Sequence, residues 1–409
     1  MLSATVSLYK NAFNGLSKNT WYLSFVMLVN RSGTMVIPFM TMYCTQQLHF
    51  SLPQAGIVMS LFGAGAITGA FVGGRITDKF GFYSQQFASL LLGGCMFIVT
   101  GFLHTYLSLC VGTFILSFCN ESFRPANAAA IAYYSKPENR TRSYSLNRLA
   151  INLGWAVGGA LGGLLASINY HLLFWVDGST NIVAALLLFK LLPYANSKAS
   201  VVKEKPVIRQ RAHADKFYVA FIIITFFFAS CFFQLFTIQP VFFKTQWHFN
   251  EAFIGFLMAL NGIIIVVAEM ILIYSIEGKK VNTFFIRIGF FISAISFACL
   301  NIFQPGYLSA FISITLITIG EMLSMPFMNS FCIQRSALHN RGEYTALYAM
   351  AWSLAQIAAP LSGSRIAASY GFTTLWWLLS AICVCTSISI FLLEQKIKAA
   401  EKSLAISSI

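Results

Sequence analysis

Glu121 and Arg124 stand three residues apart in SFCNESFRPANAAAIAYY, a largely apolar run that begins at Ser117. A spacing of i,i+3 puts both side chains on one helix face. The chemistry open to such a pair is proton exchange. A guanidinium holds a neighbouring carboxylate ionised, burial favours the protonated form, and a modest change of surroundings can tip the balance. Arginine keeps its own proton in proteins, so Glu121 is the titrating member. The bland alternative is a self-neutralising pair that only eases burial. Arg31, Glu269 and Glu321 also lie within apolar runs. An ionisable group at the centre of a membrane helix costs roughly 2.5–3.5 kcal/mol, so each should face a cavity and find a partner. Arg31 is the expected third partner, exchanging with Arg124 at Glu121 or clamping an anionic substrate. Glu269 and Glu321 are read as further proton sites; Glu269, in VVAEMILIY, has no basic neighbour at helical spacing.

The elements that position these groups follow from composition. The chain has 409 residues, is 57% hydrophobic and only 10% charged. Soluble domains carry roughly 25% charged residues, so this surface is built for lipid. Twelve apolar runs near 20–44, 54–74, 84–103, 106–134, 145–168, 172–193, 217–243, 252–275, 283–303, 307–333, 344–368 and 372–393 are each long enough to cross a bilayer as a helix. The net charge of +14 sits almost wholly in alternate loops. That is the positive-inside asymmetry, not a nucleic-acid footprint, and it predicts that both termini are cytoplasmic. The nine cysteines lie mostly inside the runs without metal spacing and read as packing residues. No metal site and no cleavable signal peptide are expected.

The basic segment 193–216 cuts the chain near its middle and reads as a cytoplasmic linker. It separates an N-terminal six-helix bundle, 1–192, from a C-terminal bundle with a short cytoplasmic tail, 217–409. The halves repeat. Asn139-Arg140 matches Asn340-Arg341, Leu146 matches Leu347, and Gly162 matches Gly363 at an offset of 201. Glu121 matches Glu321 at an offset of 200, with Pro125 and Pro326 following. Parallel repeats of this kind place transported groups near the bilayer midplane. The two prolines permit their helices to bend.

The segment GGRITDKFGFY, Gly73 to Tyr83, resembles the cytoplasmic signature of the major facilitator superfamily at Gly74, Asp78, Lys79 and Gly81, with Phe82 and Tyr83 in place of its last two basic residues. The resemblance implies two pseudo-symmetric bundles of six transmembrane helices, an all-α membrane fold. It also implies a gating role in which Asp78 latches the halves in the outward-facing state. GWAVGGALGG, from Gly154, is similar to the glycine-rich motif of twelve-span drug–proton antiporters without its central proline. Three other stretches are similar to proton-coupled oligopeptide transporters: Arg124-Pro125-Ala126-Asn127, Ile151-Asn152-Leu153-Gly154, and Gly320-Glu321 followed by Pro326. Of their first-span Glu-x-x-Glu-Arg only Arg31 is present, preceded by Asn30.

Polar and aromatic residues fill out the expected substrate cavity: Asn30, Tyr43, Asn127, Asn152, Gln234, Asn261, Trp352 and Gln356. Any one of these is more often a helix–helix hydrogen bond than a ligand contact. The expected function is proton-coupled secondary transport by alternating access, with export of small amphipathic or drug-like molecules by antiport slightly favoured. The alternative is proton-driven symport of peptides or other small carboxylate-bearing solutes; a lipid flippase and a membrane receptor rank lower. No Gly-x-x-x-x-Gly-Lys-Ser/Thr loop and no soluble catalytic domain stand in the chain, so neither ATP-driven transport nor enzyme activity is expected. The expected partners are a small-molecule substrate, protons and the lipid bilayer, with no nucleic acid, no cofactor beyond the proton gradient, and a monomer in the inner (cytoplasmic) membrane.

Overall fold

The computed structural model describes residues 15–136, 139–194, 212–276, 278–336 and 340–407. Most of the linker read at 193–216, and the two chain ends, lie outside the described residues. The first helices are α1 (Lys18–Ser32), α2 (Val36–Met42), α3 (Leu52–Phe80), α4 (Phe82–Thr100), α5 (Tyr106–Glu121), α6 (Phe123–Tyr134), α7 (Arg140–Ile168) and α8 (His171–Leu191). They are followed by α9 (Lys216–Phe232), α10 (Gln234–Thr237), α11 (Gln239–Thr245), α12 (Glu251–Ile276), α13 (Asn282–Ile302), α14 (Tyr307–Arg335) and α15 (Arg341–Ser407).

Among the described residues, 11 helical stretches are long and apolar enough to cross a membrane. The last of them, Arg341–Ala400, is 60 residues long, far more than the ~20 a bilayer needs. It turns at Gly371, where φ is 84°, a left-handed conformation open mainly to glycine. Two spans therefore lie within α15, in agreement with the runs read at 344–368 and 372–393. Gly81, at φ 88°, makes the equivalent sharp turn between α3 and α4.

The chain packs as two compact units, Met1–Phe50, Leu61–Val202 and Asn250–Val266 in the first, and Ser51–Ser60, Lys203–Phe249 and Val267–Ile409 in the second. In the first, α1 packs on α7 and α8, and α4 on α5 and α8. In the second, α9 packs on α15, and α13 on α14 and α15. The internal repeat read from residue matches thus recurs in helix pairing. The first unit has an apolar core of Leu23, Val26, Leu90, Phe123, Ile131 and Leu188, among others. Close approach of α7 to α12 is set by small residues: a Cβ on Gly163 would lie 2.6 Å from the Gly255 Cα.

Asp215 organises one end of the second unit. Its carboxylate caps α9 by accepting from the amides of Phe217 and Tyr218. It also accepts two hydrogen bonds from Arg335, at 2.7 and 3.1 Å, and one from the Tyr344 hydroxyl. Burial alone would raise this carboxyl; the Arg335 and amide hydrogen bonds outweigh it and hold Asp215 below the usual range. A carboxyl lowered in the folded state stabilises above its unfolded value, near 3.8, and loses that contribution as pH falls through the folded value. Asp215→Asn should therefore lower stability at neutral pH by about 1.5–3 kcal/mol, the worth of a charge-assisted hydrogen bond, seen as a lower thermal midpoint. The variant and the parent should converge as pH drops below about 4. Thermal melts of the two proteins in detergent, from neutral to acid pH, check this, and equal midpoints at neutral pH would contradict it.

Candidate functional site

The first span is broken. α1 ends at Ser32 and α2 begins at Val36, with Gly33, Thr34 and Met35 between. A break inside a membrane leaves amides without intrahelical acceptors, and these must be satisfied by other protein groups. Asp177 of α8, fully buried, supplies the acceptor. Its two carboxylate oxygens each lie 3.0 Å from the Met35 amide, and one lies 2.8 Å from the Val36 amide. Neighbouring contacts fix the same segment: Asn30 donates to Asn181 at 2.8 Å, Gly33 lies tight against Thr180, and a Cβ on Gly154 would sit 2.5 Å from the Arg31 Cβ. Arg31, one residue before the end of α1, is thus held from both α7 and α8.

The fourth span is interrupted at Ser122, between α5 and α6. The cause is local. Pro125 has no amide to donate to the carbonyl four residues back, that of Glu121. The interruption falls between Glu121 and Arg124, so the charged pair sits where the helix is least regular. At Pro326 the fourteenth helix runs on without interruption, so the pairing of prolines read from the repeat extends to sequence but not to helix breaks.

These two interruptions bring three charges together in the first unit. Arg124 donates from Nη1 to Glu121 Oε2 at 3.4 Å. Arg31 Nη1 faces the other oxygen, Oε1, at 3.8 Å. The side chains of Arg31 and Glu121 are each 10% exposed, against 65% for Arg124. One carboxylate therefore serves two guanidiniums, one buried and one open. The Arg31 Nε–H is buried without an acceptor among the described residues.

The remaining expected site residues separate into several groups. Asn30 and Asn127 are buried helix–helix links: Asn127 accepts from Gln86 at 3.2 Å and donates to Asn147 at 3.4 Å. Gln234 donates to the Ala359 carbonyl at 2.7 Å, beside Gly363, as Gly154 stands beside Arg31 in the other unit. Tyr43 is buried among Tyr170, His171 and Phe174, its hydroxyl without a partner among the described residues. Trp352 packs against Phe232, Phe233 and Tyr348 with its indole N–H unpartnered among the described residues. Asn152 and Gln356 are half-buried. Glu269 and Asn261 are buried and Glu321 half-buried, each with a polar or electrostatic partner; Glu269 is therefore not the unpaired carboxyl its sequence neighbours implied. In the signature segment, Gly81 makes the turn, while Gly74 lies within α3, where a Cβ would lie 3.9 Å from the Pro125 Cβ. Asp78 and Lys79 are exposed, and Lys79 lies over the Phe80 ring.

Asp177 was missed by sequence reasoning. So were Gly73, whose Cβ would lie 2.6 Å from the Ser122 carbonyl at the break in the fourth span, and Tyr170, which donates to Glu251 at 2.8 Å. The available signal for Asp177 was an acidic residue in an apolar run paired with a glycine, Gly33, in the first.

Residues 21–360 match the family model of the Major Facilitator Superfamily. The chain belongs to that superfamily. It is 22% identical over 367 residues to the uncharacterized MFS-type transporter YhjO of Bacillus subtilis (strain 168), covering 88% of this chain and 89% of that one. It is 21% identical over 396 residues to a Na(+), Li(+), K(+)/H(+) antiporter of Planococcus maritimus, covering 87% and 91%. Its fold matches the crystal structure of the peptide transporter POT with a TM-score of 0.76 at 14% identity, over 94% of this chain and 96% of that one. This superfamily member is an integral membrane transporter built on the major facilitator fold, and its relatives are transporters, not enzymes.

Proposed function

We propose that the chain is a proton-coupled secondary active transporter working by alternating access, with Glu121 as the principal proton carrier. The observation that carries this reading is the sharing of one buried carboxylate by Arg31 and Arg124 across the interrupted fourth span. A proton on Glu121 removes, in one step, the negative charge that both arginines face. The arginines are then free to take another partner, and loss of the proton restores the resting arrangement. A group whose protonation rearranges charges on two helices is suited to bias a conformational equilibrium. Glu269 and Glu321 are accessory proton sites in this scheme, and Asp78 is the gating carboxylate. The transporter works as a monomer in the inner membrane with both termini cytoplasmic, taking a small-molecule substrate and the proton gradient without a further cofactor.

A second reading concerns direction. The name of the Planococcus maritimus relative and the glycine-rich sequence of α7 favour antiport, with export of small amphipathic molecules.

The test is proton flux in proteoliposomes under an imposed pH gradient, as small amphipathic cations and small carboxylates are added in turn. A substrate of one class should evoke proton movement, and Glu121→Gln should abolish it. Absence of coupling with every class, together with wild-type behaviour of Glu121→Gln, would sink the proposal.

A further inference from the structure

Arg287 lies in the second turn of α13, on a face that also carries Phe284, Phe291 and Ile295 at helical spacing. Its guanidinium carbon stands 4.9 Å from the ring centre of Phe284 and 5.1 Å from that of Phe391. The charge is therefore held between rings of two helices, α13 and α15. The same two helices are fastened around it: the Ser387 hydroxyl donates to the Arg287 carbonyl at 2.8 Å, and Thr283 donates to Glu394 at 2.9 Å. A ring face attracts a cation, but it does not satisfy the five N–H donors of a guanidinium. Among the described residues the Arg287 side chain donates no hydrogen bond. Glu394 bears on it electrostatically, yet the Glu394 oxygens accept from Thr283 and Lys398. Lys280 Nζ adds a second cation, 6.0 Å from the Phe284 ring centre, and Lys279 beside it is exposed. Packing alone does not call for this arginine. At an offset of 200 its repeat mate in α4 is Phe87, whose ring lies 6.1 Å from that of Phe189 in α8. The first unit closes the equivalent seam with rings and no cation.

We propose that the seam between α13 and α15 binds an anionic phospholipid, with its phosphate on the Arg287 fork and drawn by Lys280. Arginine's planar fork matches two phosphate oxygens, and the two rings hold it in place for them. The surface leading away from Arg287 is apolar and exposed: Phe291 and Ile295 on α13, Ile388 and Leu392 on α15. An acyl chain covers such a stripe, and a free phosphate does not. Basic sites between transmembrane helices hold lipid headgroups in this way. The net charge of the lipid is decided by the lysines. A zwitterionic headgroup brings an ammonium that Lys279 and Lys280 repel; an anionic one brings none. In the topology proposed above this end of α13 faces the cytoplasm. The site is independent of Glu121 and of the cargo, and it ties the ends of α13 and α15 through a molecule of the bilayer.

The experiment is native mass spectrometry of the full chain in detergent, titrated in turn with dioleoylphosphatidylglycerol, dioleoylphosphatidylcholine and glycerol 3-phosphate. Phosphatidylglycerol is expected to bind at least about fivefold more tightly than phosphatidylcholine, as one surplus basic contact provides, and glycerol 3-phosphate is not expected to displace it. Arg287→Gln should weaken phosphatidylglycerol binding at least about tenfold, through loss of charge and of the paired hydrogen bonds. Arg287→Lys, which keeps the charge and loses the fork, should fall between. Lys280→Gln alters an exposed side chain and should weaken binding by up to about fivefold, so the site remains testable if Arg287→Gln does not fold. Arg75 also lies over a ring, 4.3 Å from Phe71, but on its own helix alone; Arg75→Gln should bind phosphatidylglycerol as the parent does. Equal affinity for the two lipids would overturn the choice of an anionic headgroup. Affinity indifferent to both Arg287→Gln and Lys280→Gln, or reduced as much by Arg75→Gln, would overturn the site. Displacement of the lipid by glycerol 3-phosphate would mean a site for a soluble phosphate and would overturn the lipid as its occupant.

Discussion

Asp177→Leu should lower the stability of the protein by about 2–6 kcal/mol, because it strips the acceptor from two buried amides at about 1–3 kcal/mol each. Leucine fills much of the same space, so the loss is of hydrogen bonding and not of volume. The amides of Met35 and Val36 lie at the break in the first span, where neither water nor an intrahelical carbonyl replaces the carboxylate. Asp177→Asn keeps one acceptor oxygen and should retain about half of the stabilisation. The consequence reaches Arg31, since the break that Asp177 caps begins two residues beyond it. Both variants should show slower proton flux than the parent in proteoliposomes, in the same order as their thermal midpoints. Thermal melts in detergent rank the three proteins. A wild-type midpoint for Asp177→Leu would mean that the break is held by other contacts, Asn30–Asn181 and Gly33–Thr180 among them.

What the sequence revealed and what it hid divides along the range of the interactions. Span positions were legible because a bilayer imposes a length on every apolar run, and even the division of α15 at Gly371 followed from that length. The Glu121–Arg124 contact was legible because i,i+3 is local to one helix. Arg31 as its partner was reachable by elimination, since a buried arginine must meet a carboxylate. Asp177 was hidden because its partners are backbone amides, which carry no residue-type signature, and because they become available only where the first span breaks. Asn30 shows the converse. It looked like a cavity residue by type, yet it donates to Asn181 and ties α1 to α8. Polar residues in membrane helices are ambiguous in this way until the facing helix is known. The prolines were half legible. Pro125 interrupts its helix at the charged pair, whereas Pro326, its repeat mate, stands in a continuous helix.

Gly154→Ala is expected to cost about 1–3 kcal/mol as an overpacking change and to slow proton-coupled flux at least about tenfold. Gly158→Ala, four residues along the same helix, should do little. The contrast rests on what each new Cβ would meet. At Gly154 it would lie 2.5 Å from the Arg31 Cβ, 2.9 Å from the Arg31 carbonyl carbon and 3.0 Å from the Ser32 nitrogen. Two of those three atoms are backbone, so no rotamer change relieves the clash, and α1 must shift. It has little room to retreat, because Asn30 and Gly33 press its other side against Asn181 and Thr180 of α8. Displacement of α1 moves Arg31 away from a carboxylate it already meets at only 3.8 Å. At Gly158 the nearest atoms are three carbonyl oxygens at 3.3 Å, which yield to a shift of a few tenths of an ångström. Thermal midpoints and proton fluxes of the two variants, measured side by side, test this. Equal effects would show that α7 bears on the first span as a whole and not on Arg31. A large loss confined to Gly154→Ala would show why a glycine stands in Ile151-Asn152-Leu153-Gly154: it leaves room for the backbone that carries the arginine.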